Sequence, residues 1–482
     1  MSCVARRLAR PLSATDPVSL ATIAPTMSAR ARLGRPVTLA IGLAAASALV
    51  FELLRRRVGV GLSSDSYSYL AWAERFLGEG TLDHTPYDFT APKPLELLVA
   101  TAGEAVGAPV AVFGTWAVLC YAGAVVAAGA LARRFAGWPA ALAAGALAAT
   151  MPMLVRAGWA GDSTAPYAAC VVGAAALAPG RVRPVAALLG LAGLLRPEGW
   201  GLAALHAALS WRGASRDERM AAVAAAIVPP LLWLSFDWIA TGDPLYGAHA
   251  TERFGVVAVP LQDVPGELRQ LIPDLVGWPL VLLGLAALAA GVRRRATDPA
   301  VLFPLALALG LLIELRLGLI GTVPLGRYAL PLFLFLPAGA GIVLARAPGR
   351  ARLPVLGAGT IACLALQVGS LRDLRDFFDR RSNLAAQLEE RMAPAVERVV
   401  AGGGLVATES EWGGALAVHS EVPRDRIVPA RAVGRAVDPE EVRAYLVIPE
   451  LQVRRDGPVG AIDESRPLAS SGLWRLYVPT RR

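Results

Sequence analysis

Apolar and polar positions divide the chain into two regions with different patterns. From about residue 37 to residue 371, long apolar runs alternate with short polar segments. Many of the runs approach the ~20 residues that a helix needs to cross a bilayer. Residues 371–482 mix apolar and polar positions as a globular protein does. The pattern predicts an α-helical polytopic membrane protein with about eleven transmembrane helices and a small C-terminal α/β domain.

The apolar runs define three regions along the sequence. Residues 1–35 are predicted to be a disordered cytoplasmic tail, residues 36–370 the membrane domain, and residues 371–482 the α/β domain. The predicted spans are Val37–Leu54, Pro109–Ala132, Trp138–Val155, Thr164–Leu177, Pro184–Leu195, Gly199–Trp211, Met220–Ile239, Asp274–Val292, Pro299–Ile320, Tyr328–Ala345 and Leu353–Ser370.

Arginine clusters orient these spans, because basic residues concentrate in the cytoplasmic loops of membrane proteins. Most clusters fall on one side, and the run Arg55–Arg57 falls on the other. The protein is therefore predicted to lie in the cytoplasmic (inner) membrane, with its N-terminus inside and its C-terminal domain outside. Three segments then face outward, at residues 58–104, 156–163 and 241–273, and chemistry is expected there.

Composition agrees with a membrane protein. Of the 482 residues, 55% are hydrophobic and 18% are charged, which is too apolar for a soluble enzyme of this size. The formal net charge of +9 comes from arginines between the apolar runs, a placement that argues against nucleic acid as a partner. The four cysteines lack metal-ligand spacing. Among 47 basic residues, Lys93 is the only lysine.

The first outer segment contains two candidates, each with two interpretations. Asp65 stands before an amphipathic stretch, where it would serve as a helix N-cap or as a general base at the membrane surface. Lys93 lies between Pro92 and Pro94, where the chain returns to the membrane. It would be an interfacial anchor or an ammonium that binds phosphate.

Later polar segments add three more candidates. Asp162 precedes the fourth span, as an N-cap or as a second functional carboxylate. Arg196 and Glu198 separate two apolar runs that are short for independent spans, and Pro197 with Gly199 favours a turn between them.

These residues resemble the GT-C superfamily of glycosyltransferases that use polyprenyl-phosphate sugars, in particular its RgtA/B/C/D-like and ArnT/protein-mannosyltransferase branch. The resemblance rests on Asp65 with Tyr67 and Tyr69, on an amphipathic stretch ending in glycine, and on Lys-Pro before the second span. Residues 196–199, 241–246 and 326–331 add to it. The usual form in that branch is closer to Lys-Pro-Pro, and Leu95 replaces the second proline here.

The resemblance implies inverting transfer of a sugar from a polyprenyl-phosphate carrier to an acceptor on the outer face of the membrane. The acceptor would be a glycan, a lipid or a protein of the cell envelope. Asp65 would act as the general base. Lys93, Arg327 and Arg196 would bind the phosphate of the donor.

The resemblance also implies secondary roles. Glu198, Tyr67 and Tyr69 would contact substrate. Some members use a divalent metal, for which Asp65 and Asp162 offer two oxygen ligands, although no tight ligand cluster is visible in the sequence.

Two other functions stay open from the sequence. A transporter or flippase for a lipid-linked substrate would place intramembrane charges along its route, and such proteins usually contain matched repeats, which this sequence lacks. An inactive scaffold with the same fold would use the C-terminal domain for protein contacts.

The C-terminal domain shows its own local pattern. A helix is predicted over residues 384–401, strands after the glycines at 402–404 and at 444–448 and 474–478, and a helix over 439–443. The three glycines lack the GxGxxG spacing of a nucleotide site. The domain is expected to bind the acceptor or to pack over the outer loops.

Overall fold

The computed structural model of the chain describes residues 49, 51–52, 62–80, 93–178, 180–246, 249, 265–266, 269, 272–273, 276–316, 331–408, 413–423, 426–430, 433, 437–447, 467–471 and 473–479. All of them belong to one compact unit, Leu43–Arg482. The predicted N-terminal tail and most of the first predicted span lie outside the described residues.

Helices make up most of the described chain, as the apolar pattern predicts. They are α1 (Ser64–Glu79), α2 (Pro94–Ala105), α3 (Pro109–Ala149), α4 (Pro152–Ala160), α5 (Thr164–Leu177), α6 (Val182–Gly193), α7 (Glu198–Ser210), α8 (Arg216–Thr241), α9 (Trp278–Arg295), α10 (Pro299–Arg316), α11 (Leu336–Leu344), α12 (Arg352–Gln387), α13 (Ala393–Val400) and α14 (Gly413–His419). A π-helical turn, Leu388–Met392, joins α12 to α13.

Helix α3 folds back on itself at Gly137. A straight helix of its 41 residues would extend about 60 Å, roughly twice the thickness of the hydrocarbon core of a bilayer. Gly137 instead has a φ of 79°. The Tyr121 hydroxyl donates a 2.6 Å hydrogen bond to the carbonyl of Ala149, 28 residues away. The two arms of this hairpin correspond to the second and third predicted spans, so the predicted break between them is present.

The third predicted span ends earlier than expected. Thr150 ends α3, Met151 is extended, and Pro152 begins the separate helix α4. Proline is favourable in the first turn of a helix, where its missing N–H would have no partner. Arg156, which was predicted to begin an outer loop, therefore lies inside a helix.

The predicted domain boundary near Ser370 falls within a helix, because α12 runs from Arg352 to Gln387. Residues 371–387 contain neither glycine nor proline. The change from apolar to polar sequence there does not end the helix.

Small residues allow close contact among α3, α9 and α11. A Cβ atom at Gly341 would lie 2.7 Å from the carbonyl oxygen of Ala140, and one at Gly339 would lie 3.0 Å from Cα of Gly284. Larger side chains at these positions would separate the helices. Small-residue contacts of this kind are typical of helices packed in a membrane.

Length and composition identify α3 and α8 as helices able to cross a membrane, within the described part of the chain. The pair α9 and α10, bent by 118°, counts as a third if it is one span. Helices α5 and α6 are apolar but shorter. The chain is thus a membrane protein, and the number of about eleven spans stays a prediction.

The C-terminal region contains a five-stranded sheet. Its strands are β1 (Leu405–Thr408), β2 (Ile427–Pro429), β3 (Val442–Val447), β4 (Ala469–Ser471) and β5 (Trp474–Tyr477). The order is β2-β1-β3-β5-β4; β1 is parallel to β2 and β3, and β5 is antiparallel to β3 and β4. The predicted strands β1, β3 and β5 are confirmed. Strands β2 and β4 have three residues each and were missed.

The C-terminal region and α1 share one hydrophobic core. Tyr69 and Leu70 of α1 belong to the same buried cluster as Leu416 of α14 and Trp474 of β5. The indole N–H of Trp474 donates a 2.9 Å hydrogen bond to the carbonyl of Leu384, at the end of α12. The C-terminal region therefore holds α1 in place.

The turn in α3 leads to a first prediction. We expect Gly137→Ala to lower the free energy of unfolding by about 1 kcal/mol or more, because a side chain is strained at a φ of 79°. The control is Gly201→Ala, which adds a Cβ in open space within α7 and should be neutral or stabilising. Thermal unfolding in detergent measures both, and equal effects would contradict the hairpin.

Candidate functional site

Helix α1 begins with a serine cap, and this corrects one interpretation of Asp65. The Ser63 hydroxyl accepts a 3.1 Å hydrogen bond from the backbone N–H of Ser66, so Ser63 is the N-cap. Asp65 lies inside the first helical turn. The interpretation of Asp65 as the N-cap is therefore wrong, since the serine two residues earlier makes the capping bond. The carboxylate of Asp65 points to Lys93 instead.

Lys93 precedes α2 and is fixed by the proline that follows it. Its backbone is extended (φ −106°, ψ 111°), the conformation that a following proline favours. Pro94 begins α2, and the N–H of Leu95 donates to the carbonyl of Leu194, after α6. The start of α2 thus lies against the turn that carries Arg196.

The ammonium of Lys93 is the centre of a buried polar cluster. Its Nζ donates a 3.0 Å hydrogen bond to Ser163 Oγ and forms ion pairs with Asp65 Oδ2 at 3.6 Å and Glu96 Oε2 at 3.4 Å. The side chains of Lys93, Asp65 and Glu96 are 10%, 20% and 1% exposed. Asp65 and Lys93, predicted as base and phosphate ligand, are therefore adjacent.

Glu96 is a member of the cluster that sequence reasoning missed. Among the described residues, neither carboxylate oxygen of Glu96 accepts a hydrogen bond of good geometry, although Oε2 forms the ion pair with Lys93. Burial raises the pKa of Glu96 to about 7; the charges of Asp162 and Asp65 add to this, and Lys93 opposes it. The available signal was spacing, because Glu96 is one helical turn after Lys93 in a helix that Pro94 begins.

Asp162 serves the start of α5 and lies beside the cluster. Its Oδ1 accepts hydrogen bonds from the backbone N–H of Thr164 at 2.7 Å and from the Thr164 hydroxyl at 2.5 Å. The side chain of the adjacent Ser163 makes no capping hydrogen bond. Its hydroxyl accepts a hydrogen bond from Lys93 instead. The structure supports the local capping chemistry at Asp162, and its charge still reaches Glu96.

Arg196 and Glu198 form an ion pair in the turn between α6 and α7, where the sequence predicts a turn. The distance from Arg196 Nη2 to Glu198 Oε1 is 3.0 Å. The Arg196 guanidinium also lies 5.7 Å from the ring centroid of Tyr167. Arg196 is buried, and a buried charge needs a partner; Glu198, in the same turn, compensates it.

Tyr67 and Tyr69 are buried on α1. The ring centroid of Tyr69 lies 5.8 Å from Lys93 Nζ, and Tyr67 packs edge-on against His419 of α14 at 5.5 Å. Their burial favours a supporting position for both rings. The contact with substrate predicted for them stays a prediction.

Arg327, the third predicted phosphate ligand, lies outside the described residues. Within the described part of the chain, no group of three His, Cys, Asp or Glu side chains is arranged to bind a metal ion. The ammonium of Lys93 lies between the carboxylates of Asp65 and Glu96. Its positive charge at this position disfavours a metal ion bound to the same carboxylates.

Comparison with known proteins identifies the fold. No protein-family profile matches the sequence, and no curated protein matches it. The structure is similar to ArnT from Cupriavidus metallidurans bound to undecaprenyl phosphate, with a TM-score of 0.59 and 14% identity over 91% of this chain and 97% of that one. The apo form of ArnT gives 0.54 and 13%, over 92% and 97%. The chain has the GT-C fold.

A second GT-C structure agrees. AglB, the archaeal oligosaccharyltransferase of Archaeoglobus fulgidus in complex with an inhibitory peptide and a dolichol-phosphate, gives a TM-score of 0.50 and 12% identity over 86% of this chain and 70% of that one. At these identities the similarity is one of fold. The resemblance found in the sequence is confirmed at that level.

Glu96 gives a prediction about pH and stability. Its folded pKa of about 7 is raised above its ordinary value of 4.5, so its contribution to stability is fully present below pH 4.5 and is lost as the pH rises to about 7. We expect Glu96→Gln to remove this loss. The melting temperature of the variant relative to wild type, measured in detergent, should increase between pH 5 and pH 8.

The control for this experiment is Glu441→Gln, which removes one exposed carboxylate from the C-terminal region. The same pH-dependent increase in Glu441→Gln, or none in Glu96→Gln, would contradict the buried position of Glu96.

Proposed function

We propose that this protein is a membrane glycosyltransferase that moves a sugar from a polyprenyl-phosphate carrier to an acceptor on the outer face of the cytoplasmic membrane. The observation that carries the proposal is the cluster in which the chain's single lysine lies 3.6 Å from Asp65. The GT-C fold supports the reaction class, since ArnT binds undecaprenyl phosphate and AglB binds a dolichol-phosphate.

Two groups of opposite charge meet the needs of this transfer. A carboxylate accepts the proton of the acceptor hydroxyl or amine as that group attacks, and a cation stabilises the leaving phosphate. Asp65 has the first role and Lys93 the second. Their ion pair at 3.6 Å brings the proposed base and the proposed phosphate ligand together in one site, which supports the proposal.

The bond changes balance with these two residues. The acceptor oxygen or nitrogen forms a bond to the anomeric carbon from one side, and the bond from that carbon to the phosphate oxygen breaks on the other, so the configuration inverts. The acceptor proton moves to Asp65. The phosphate changes from a diester with one negative charge to a monoester with two, and Lys93 stabilises the added charge.

Glu96 adjusts the charge available to the phosphate. Lys93 lies between two carboxylates, and an incoming phosphate competes with both for the ammonium. Since the pKa of Glu96 is about 7, this group can hold a proton near neutral pH and leave Lys93 balanced by Asp65 alone. The negative charge of a bound phosphate would raise the pKa of Glu96 further.

Other polar residues would orient the substrates. Ser163 holds the ammonium of Lys93 from the start of α5, and the pair Arg196–Glu198 lies in a turn that contacts the start of α2. Arg327 is proposed as a further phosphate ligand from the sequence resemblance. Asp162 is proposed as a second acidic residue that keeps the start of α5 in place. No step of this proposal uses a metal ion.

The test is sugar transfer in membranes that contain wild-type protein or one variant, with a panel of radiolabelled polyprenyl-phosphate sugars. We expect Asp65→Asn to lower the transfer rate by about 10²- to 10⁴-fold, the usual effect of removing a general base. Lys93→Ala should lower it by a similar factor through the leaving group, and Lys93→Arg should restore part of the loss.

The matched control is Asp217→Asn, the same change at an exposed position on α8. Its transfer rate should equal that of wild type. Full activity in folded Asp65→Asn would contradict the role of Asp65. No transfer by wild type with any donor of the panel would favour a transporter or a scaffold over a transferase.

A further inference from the structure

A second site lies between the second arm of α3 and the beginning of α12. It is an open groove of about 550 Å³. Its lining is almost entirely apolar and includes Trp138, Pro139, Leu142, Leu353, Leu356 and Ile361. Several of these side chains are largely exposed, and Leu353 is 69% exposed. In a membrane, such a groove takes up a hydrocarbon chain.

The groove lies far from the Lys93 cluster. Phe113, in the first turns of α3, stacks on Tyr69 and lies against Gly161, next to that cluster. Trp138 comes roughly 25 residues later in α3, a distance of roughly 37 Å at the rise of an α-helix. The groove and the candidate active site are therefore at opposite ends of the hairpin.

The end of the groove near Gly137 is cationic. Arg352 Nη2 donates a 3.1 Å hydrogen bond to the carbonyl of Ala136, and the Arg133 guanidinium lies 4.1 Å from the ring centroid of Trp138. Arg350, two residues before Arg352 in the sequence, is exposed. Residues 133–143 and 346–361 contain no aspartate or glutamate. The positive charge at this end is not balanced by either segment.

Arg352 also contains a hydrogen-bond donor without an acceptor among the described residues. Its Nε is buried and has no hydrogen-bond partner among the described residues. A buried donor without an acceptor is destabilising, and native structures seldom contain one. A phosphate at the end of the groove would balance the positive charge of the Arg352 and Arg133 guanidinium groups.

We propose that this groove binds an anionic phospholipid of the bilayer. One acyl chain lies along the apolar lining, and the headgroup phosphate lies between Arg352 and Arg133. Basic pockets between membrane helices on the cytoplasmic side are suited to such headgroups. Arginines that act only as topology signals need neither a groove nor an unpaired buried donor. The site does not depend on transferase activity.

The experiment uses Trp138 as the reporter. Full-length protein is reconstituted in phosphatidylcholine vesicles that contain increasing shares of dibrominated phosphatidylglycerol or of dibrominated phosphatidylcholine. The difference in fluorescence quenching between each protein and its Trp138→Phe counterpart isolates the signal from the groove. We expect phosphatidylglycerol to bind at least about fivefold more tightly than phosphatidylcholine, the effect of one basic residue near the surface.

Two variants separate charge from shape. Arg352→Gln should remove about fivefold of the preference for phosphatidylglycerol, whereas Arg212→Gln, an exposed arginine on another loop, should keep it. Gly357→Leu should reduce quenching by both lipids, because its side chain enters open space in the groove. Gly310→Leu, also in open space but on α10, should not.

Three results would overturn the proposal. Equal quenching by the two lipids would remove the headgroup preference. An equal loss in Arg212→Gln and Arg352→Gln would reduce it to surface charge. Displacement of phosphatidylglycerol from the groove by an equal share of undecaprenyl phosphate would assign the groove to the donor lipid instead.

Discussion

The packing of α1, α2 and the start of α5 depends on the buried ammonium of Lys93. An ammonium that leaves water loses strong hydration, and the protein must replace it with acceptors and opposite charge. Lys93 has three N–H donors, and three oxygens surround it, from Ser163, Asp65 and Glu96. These oxygens come from the start of α5, from α1 and from α2. One side chain thus fixes three helices relative to one another.

Contacts elsewhere in the fold hold these three helices in position around the ammonium. The Ser63 cap sets the first turn of α1, and the core shared with Trp474 and Leu416 holds its buried face. The hairpin at Gly137 returns the chain so that α4 and the start of α5 lie beside α1; the Ser66 hydroxyl donates to the carbonyl of Ala160 at 2.9 Å. A site built from distant parts of the sequence therefore rests on close contacts between helices.

Sequence reasoning could find Asp65 and Lys93 because each is unusual in its setting. A single lysine among 47 basic residues stands out, and an acidic residue at the start of an amphipathic helix is a local signal. Their approach to 3.6 Å is not local, since it depends on how α1 and α2 pack. Glu96 was missed because a glutamate in the first turn of a helix is ordinary; only its burial makes it unusual.

The same distinction applies to the fold. Apolar runs predict that helices exist, and the gap between the second and third predicted spans contains the turn at Gly137. Polarity does not predict where a helix ends, because a polar stretch can continue a helix; α12 continues through the predicted boundary at Ser370 in this way. Strands β2 and β4 are too short for an alternating pattern, and their neighbours in the sheet define them.

The most direct test of the central claim uses the fact that Lys93 is the only lysine. An amine-specific acylating reagent can modify one side chain in this protein, and mass spectrometry of the Lys93 peptide measures the rate separately from the N-terminus. If Lys93 binds the phosphate of the lipid carrier, saturating undecaprenyl phosphate should slow acylation by about tenfold or more, the effect of a salt-bridged phosphate, and undecaprenol, which lacks the phosphate, should not. Equal acylation rates with and without undecaprenyl phosphate would contradict the account.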